Sequence, residues 1–88
     1  MTKNTLHLIF SLDGWHKAKP LLDSDDKVLF LQDAVYQLQA NLAIETTSLY
    51  AREIDVTARN IKPIDNITII DDATWVELTN SAHNVISW

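Results

Sequence analysis

Four apolar residues in succession, Val28-Leu29-Phe30-Leu31, stop abruptly at an amide and an acid, Gln32-Asp33. A short unbroken apolar run bounded by polar residues fits a strand buried on both faces of a parallel sheet. In such sheets ligands and partners gather at the carboxyl ends of the strands, so Gln32 and Asp33 stand where function is expected.

The rest of the chain repeats this alternation. "TLHLIF" (5–10) reads as a first strand, and Ser11 to Gly14 as a turn with Asp13 placed to cap a following helix. Trp15, Ala18 and Leu22 then share a helical face, but Pro20 lacks an amide hydrogen and predicts a short or split helix. "DSDDK" (23–27) is a charged turn into a second strand over 27–32, and Val35, Leu38 and Leu42 predict a helix through "AVYQLQANL". "TSLYA" (47–51), "EIDVTARN" (53–60), "NITII" (66–70) and "ATWVELTNSA" (73–82) continue as strand, helix, strand, helix. Strands alternating with helices imply right-handed crossovers and a mostly parallel sheet covered on both faces. The expected fold is α/β, a small three-layer αβα sandwich on a mostly parallel four-stranded sheet.

With 88 residues, 47% of them hydrophobic, the chain has enough for one modest core, and residues 1–88 read as a single domain. No apolar stretch reaches the roughly 18 residues of a membrane span, and "MTKNTLHLIF" lacks a signal-peptide cleavage site. The expected location is therefore the cytoplasm, without membrane attachment. The absence of cysteine excludes thiolate metal sites, thiol nucleophiles and persulfide carriage by this chain. A formal net charge of -5 has the wrong sign for neutralising phosphates, so no direct nucleic-acid contact is expected. The one glycine, Gly14, leaves no glycine-rich loop for a nucleotide, and no cofactor is implied.

Several residues admit both a functional and a structural role. Gln32 and Asp33 suit a subunit boundary or a ligand at the strand end, while Asp33 also suits capping of the next helix. His7, His16 and His83 form no i, i+4 pair and have no cysteine beside them; His7, inside an apolar strand, suits a hydrogen-bonded core or interface histidine. Asp55 and Arg59 are four apart on a helix, which makes an exposed ion pair, or frees Arg59 to reach across a subunit contact. The serines fall into no Ser/His/Asp grouping and the acids are not paired, so no hydrolase is indicated. Trp75 shares a helical face with Leu78 and Ala82 and reads as core or core edge, whereas Trp88, behind the polar "NVIS", reads as docking onto some surface.

"LQDAVY", "LYAREIDVTARN" and "IIDDATWVELTNSAHNVISW", in this order and spacing, resemble the DsrH/TusB family of sulfur-relay subunits. The likeness covers nearly the whole chain. Leu6-His7 corresponds to the family's opening "LH", Gln32-Asp33-Ala34-Val35 to its Gln-Asp-Gly-Val, Asp55-x-x-x-Arg59-Asn60 to its Asp-x-x-x-Arg-Gly, and Trp88 to its terminal Trp. Ala34 in place of Gly predicts a negative φ there, and Asn60 in place of Gly predicts a left-handed helix end.

The resemblance implies a non-catalytic subunit of a heteromeric, TusBCD-like sulfurtransferase that relays persulfide sulfur toward 2-thiouridine at the tRNA wobble position. Some DsrH-like members carry a cysteine near the first helix; "GWHKAKPLL" has none, which places the sequence nearer the TusB-like subunits. The implied partners are TusC-like and TusD-like chains, the latter bearing the active cysteine, with His7, Gln32, Asp33, Arg59 and Trp88 as candidate interface residues. A DsrEFH-like subunit of dissimilatory sulfur oxidation, a stand-alone small-molecule-binding domain, and self-association of the isolated chain stay open on sequence grounds.

Overall fold

The computed structural model describes residues 4–39, 48–63 and 67–88. Its centre is a parallel five-stranded sheet in the order β4-β3-β2-β1-β5. The strands are β1 Thr5–Ile9, β2 Lys27–Phe30, β3 Ser48–Arg52, β4 Ile67–Ile70 and β5 Asn84–Ser87. Central β2 is the unbroken apolar run: Val28, Leu29 and Phe30 are fully buried, on alternating faces, as a strand covered on both sides requires. Complete burial of each such side chain contributes at most about 1.5 to 3 kcal/mol.

The two faces carry separate cores. On one, Ile9, Val28, Phe30, Leu49 and Ala51 meet Trp15 and Ala18, then Ala34, Val35 and Leu38, then Val56 and Ile61. Trp15 and Phe30 pack with ring centroids 5.1 Å apart and planes inclined by 58°. On the other face Leu6, Leu8, Leu29, Leu31 and Ile70 meet Leu78, with Trp75 at the margin. The helices are α1 Leu12–Ala18, α2 Glu53–Ala58 and α3 Asp72–Ser81, so α1 and α2 cover the first face and α3 covers the second. This is the three-layer sandwich expected from the alternation of elements.

The strand count is corrected from four to five. The segment read as a polar tail forms β5, paired to β1 with Leu6 opposite Val85 and His7 opposite Ile86. No apolar run announces it, because it is an edge strand with all four residues exposed and its two apolar side chains point to opposite faces.

Local details also differ from expectation. Ser11, in extended conformation, caps α1 by accepting from the Gly14 N–H at 3.1 Å, so Asp13 lies inside the first turn and pairs with Lys17 at 3.0 Å. Pro20 sits in a 3-10 turn, Lys19–Leu21, and the helix ends before it as its missing amide hydrogen dictates. The segment Gln32–Gln39 is a 3-10 helix rather than α-helix. Val35 and Leu38, three apart, recur on one side of a three-residue turn. The rest of the predicted helix, residues 40–42, and the first residues of the third and fourth predicted strands, 47 and 66, lie outside the described residues. Among the described residues no helix is long and apolar enough to cross a membrane.

Candidate functional site

At the carboxyl end of the sheet the chain parts between β3 and β4, because α2 turns to one face and α3 to the other; such a divergence is where open α/β sheets bind ligands. Here side chains span the opening. Arg52, the last residue of β3, donates from Nε to Asp72 Oδ1 at 2.7 Å and from Nη2 to Asp72 Oδ2 at 2.9 Å. Its guanidinium carbon lies 5.4 Å from the centre of the Trp75 ring, and its Nη1 lies 3.6 Å from Asp55 Oδ2. The Asp72 bond raises the Arg52 pKa above its ordinary value, and the same bond lowers that of Asp72. Beside it Asp71 caps α3 by accepting from the Thr74 N–H at 2.9 Å, which lowers its own pKa. An open concavity of about 250 Å³ on α3 is lined by Trp75, Val76, Thr79 and Asn80.

The network extends to β2. Arg59 donates from Nε to Asp33 Oδ1 at 3.1 Å and reaches Asp55 Oδ1 from Nη1 at 3.4 Å. Asp55 is 6% exposed, which corrects the expectation of an exposed Asp55–Arg59 pair: α2 packs this side of its first turn inward. Its Oδ2 is buried and accepts no hydrogen bond. Asp33 likewise departs from its expected capping role. It already lies within the 3-10 helix, and among the described residues its carboxylate is held by Arg59. Gln32 is exposed and left-handed at φ 51°, so the turn out of β2 is made at Gln32, and Ala34 is free to be buried.

Asn60 takes the predicted left-handed conformation, φ 52°. Its N–H donates to Thr57 O at 3.2 Å and the Ile61 N–H donates to Val56 O at 3.0 Å, the Schellman pattern, with Val56 and Ile61 both in the core.

A second polar group lies inside the domain. His7, 3% exposed, is hydrogen-bonded through Nε2 to Asp26 Oδ2 at 2.9 Å, and Trp88 Nε1 donates to His7 Nδ1 at 3.0 Å. Asp26 also accepts from the Thr5 N–H and the Asp23 N–H, each at 3.1 Å. Burial alone would raise the Asp26 pKa, but these bonds outweigh it and hold the carboxyl below its ordinary range. Trp88 packs against the first core and its N–H donates to Leu8 O at 2.9 Å, so the surface that receives it is this domain's own. Gly14 is where it lands: a Cβ there would stand 2.9 Å from the Trp88 carbonyl oxygen.

The five residues singled out from sequence therefore fall into two groups, with no hydrogen bond among the described residues joining them. Gln32, Asp33 and Arg59 lie on the carboxyl edge, whereas His7 and Trp88 bind each other and His7 offers no surface. Sequence reading passed over Asp26, hidden in the charged "DSDDK" turn, and Arg52 and Asp72, which lie 20 residues apart. Only the topology brings these together. Neither group contains a nucleophile, and among the described residues no three His, Cys, Asp or Glu side chains are grouped so as to hold a metal ion.

The family profile described as "DsrH like protein" matches residues 14–85. The chain belongs to the DsrH-like family. A crystal structure of the YchN protein from E. coli shares the fold of this DsrH-like chain, with a TM-score of 0.72 over 100% of both chains at 15% identity. No curated protein matches it. Membership in the family gives the DsrH-like chain a sulfur-relay-related role within multi-subunit complexes.

Proposed function

We propose that this chain is a non-catalytic subunit of a TusBCD-like sulfurtransferase that passes persulfide sulfur toward 2-thiouridine at the tRNA wobble position. The observation that carries the reading is membership of a sulfur-relay family by a chain without any cysteine. With no thiolate it cannot hold a sulfane sulfur as a persulfide, so the sulfur has to travel on a partner. In this reading the partners are a TusC-like chain and a TusD-like chain, the latter with the active cysteine. The exposed Gln32 and Asp33, with Arg59 fixing the Asp33 carboxylate, form the patch offered to them.

The test is affinity purification from the native cell with mass spectrometry of what accompanies the chain, together with transfer of labelled sulfur in the reassembled complex. The expected result is co-purification with a cysteine-bearing chain, label on that chain and none on this one, and loss of tRNA 2-thiouridine when this gene is deleted. Purification without partners, or label carried by this chain alone and released by a thiol, overturns the assignment. Intact 2-thiouridine beside lost sulfur oxidation in the deletion strain would instead place the subunit in a DsrEFH-like complex.

A further inference from the structure

His7 is the one buried imidazole among the described residues, and the proposed relay makes no use of it. All of its hydrogen-bonding capacity is committed. An indole N–H can only donate, so His7 Nδ1, 3.0 Å from Trp88 Nε1, accepts with a bare lone pair. The ring proton is therefore on Nε2 and is donated to Asp26 Oδ2 at 2.9 Å. The two rings are inclined by only 19° with centroids 6.1 Å apart, a geometry compatible with an N–H···N bond made in the plane of both rings.

A proton added at Nδ1 would set two N–H donors head to head. The carboxylate attracts an imidazolium and is itself fixed by the Thr5 and Asp23 amides, so Asp26 stays. Trp88 is the less firmly anchored partner: beyond its bond to Leu8 O and its core contact it is carried by β5, whose residues are all exposed and which pairs with β1 alone.

The turn before β2 brings Asp26 and Asp23. Lys27 of β2 lies opposite Leu6 and so on the other face of the sheet. From α1, Asp13 and Lys17 pair with each other in solvent and His16 is exposed. β5 carries no charged side chain.

We infer that His7 is a proton-operated latch for the last strand: the neutral ring clasps Trp88 and pins β5 to β1, and the protonated ring keeps Asp26, releases Trp88 and opens that edge of the sheet.

The experiment is an NMR titration of the full 15N-labelled chain, following the His7 ring nitrogens and the three indole N–H groups. On acidification, His7 protonation and loss of Trp88 N–H protection should share one midpoint. Exchange at Trp88 should quicken about tenfold, in keeping with one lost hydrogen bond, while Trp15 is unchanged. In His7→Gln the amide can donate to Asp26 and accept from Trp88 but has no proton to gain, so the acid-induced release should vanish. An imidazolium that forms while the Trp88 N–H stays protected overturns the latch, as does release that occurs only when the core around Trp15 unfolds. Persistence of the transition in His7→Gln overturns it equally, and the wild-type titration decides the matter alone where that variant does not fold.

Discussion

Replacing Gly14 by Ala sets two terms of opposite sign against each other. Inside a helix the change ordinarily stabilises by about 0.5 to 1 kcal/mol, by restricting the unfolded chain and favouring helix. Here the added Cβ would lie 2.9 Å from the Trp88 carbonyl oxygen, 3.0 Å from its carbon and 3.1 Å from its Cβ. Ordinary contact is about 3.5 to 4 Å, so the end of β5 would have to withdraw by roughly 0.5 to 1 Å. That movement stretches the bonds from Trp88 N–H to Leu8 O, now 2.9 Å, and from Trp88 Nε1 to His7 Nδ1, now 3.0 Å, beyond useful length. Two such bonds are worth about 2 kcal/mol together, so Gly14→Ala should destabilise the chain by about 1 kcal/mol net. In a chain ending at Ser87 the obstruction is gone, and the same substitution should stabilise by about 0.5 to 1 kcal/mol. Urea unfolding of the four proteins in the cycle measures the coupling, expected at about 2 kcal/mol. An effect of the same sign in both backgrounds would refute the docking of Trp88 on α1.

Asn60→Gly should be neutral or stabilising by up to about 1 kcal/mol, and Asn60→Val should cost more than that, because only the latter resists a left-handed helix end; equal melting temperatures would contradict this. The lowered pKa of Asp26 means that its ionised form stabilises the fold: the contribution is complete above the unfolded value of about 3.9 and is lost as pH falls through the lower folded value. Below the unfolded carboxyl value of about 3.9, the urea-midpoint gap between wild type and Asp26→Asn should therefore narrow as pH falls, and a gap that widens over that range would be the wrong sign. Asp55→Asn, at a buried carboxylate shared by two arginines, should cost about 1 to 2 kcal/mol, whereas Asp72→Asn, in solvent, should cost less; the reverse order in thermal unfolding would show that Arg52 depends on Asp72 rather than on Asp55.

Much of the sheet was legible because its central strands are apolar runs of strand length, and Val28 to Leu31 admits little else. The Asn60 helix end was legible from one residue type standing where a glycine belongs. β5 was not, since Val85 and Ile86 gain little burial, 43% and 40% exposed, and its pairing comes from backbone bonds to β1 rather than from a hydrophobic pattern. The helix after β2 was legible but its 3-10 type was not, because Val35 and Leu38 satisfy either period. His7 and Trp88 were recognised singly, but the pair is separated by 81 residues and its third member, Asp26, looks like any acid in a charged turn. Gln32 and Asp33 were correctly located at a strand end, while the partner that holds Asp33 depended on where α2 would lie.

The two neighbours of β1 differ in when they can arrive. The contact between Thr5 and Asp26, beside β2, closes a loop of 21 residues, but the contact between Asn4 and His83, at the start of β5, closes one of 79. The longer closure costs about 1.2 kcal/mol more in chain entropy, and β5 offsets it with little buried surface. This strand should therefore join the sheet last during folding and leave it first during native fluctuations, so that its amides exchange with solvent ahead of those in β2 and β3. During synthesis the same order leaves one side of β1 without a neighbour until Asn84–Ser87 has been made, a period in which that bare edge is open to pairing with other chains.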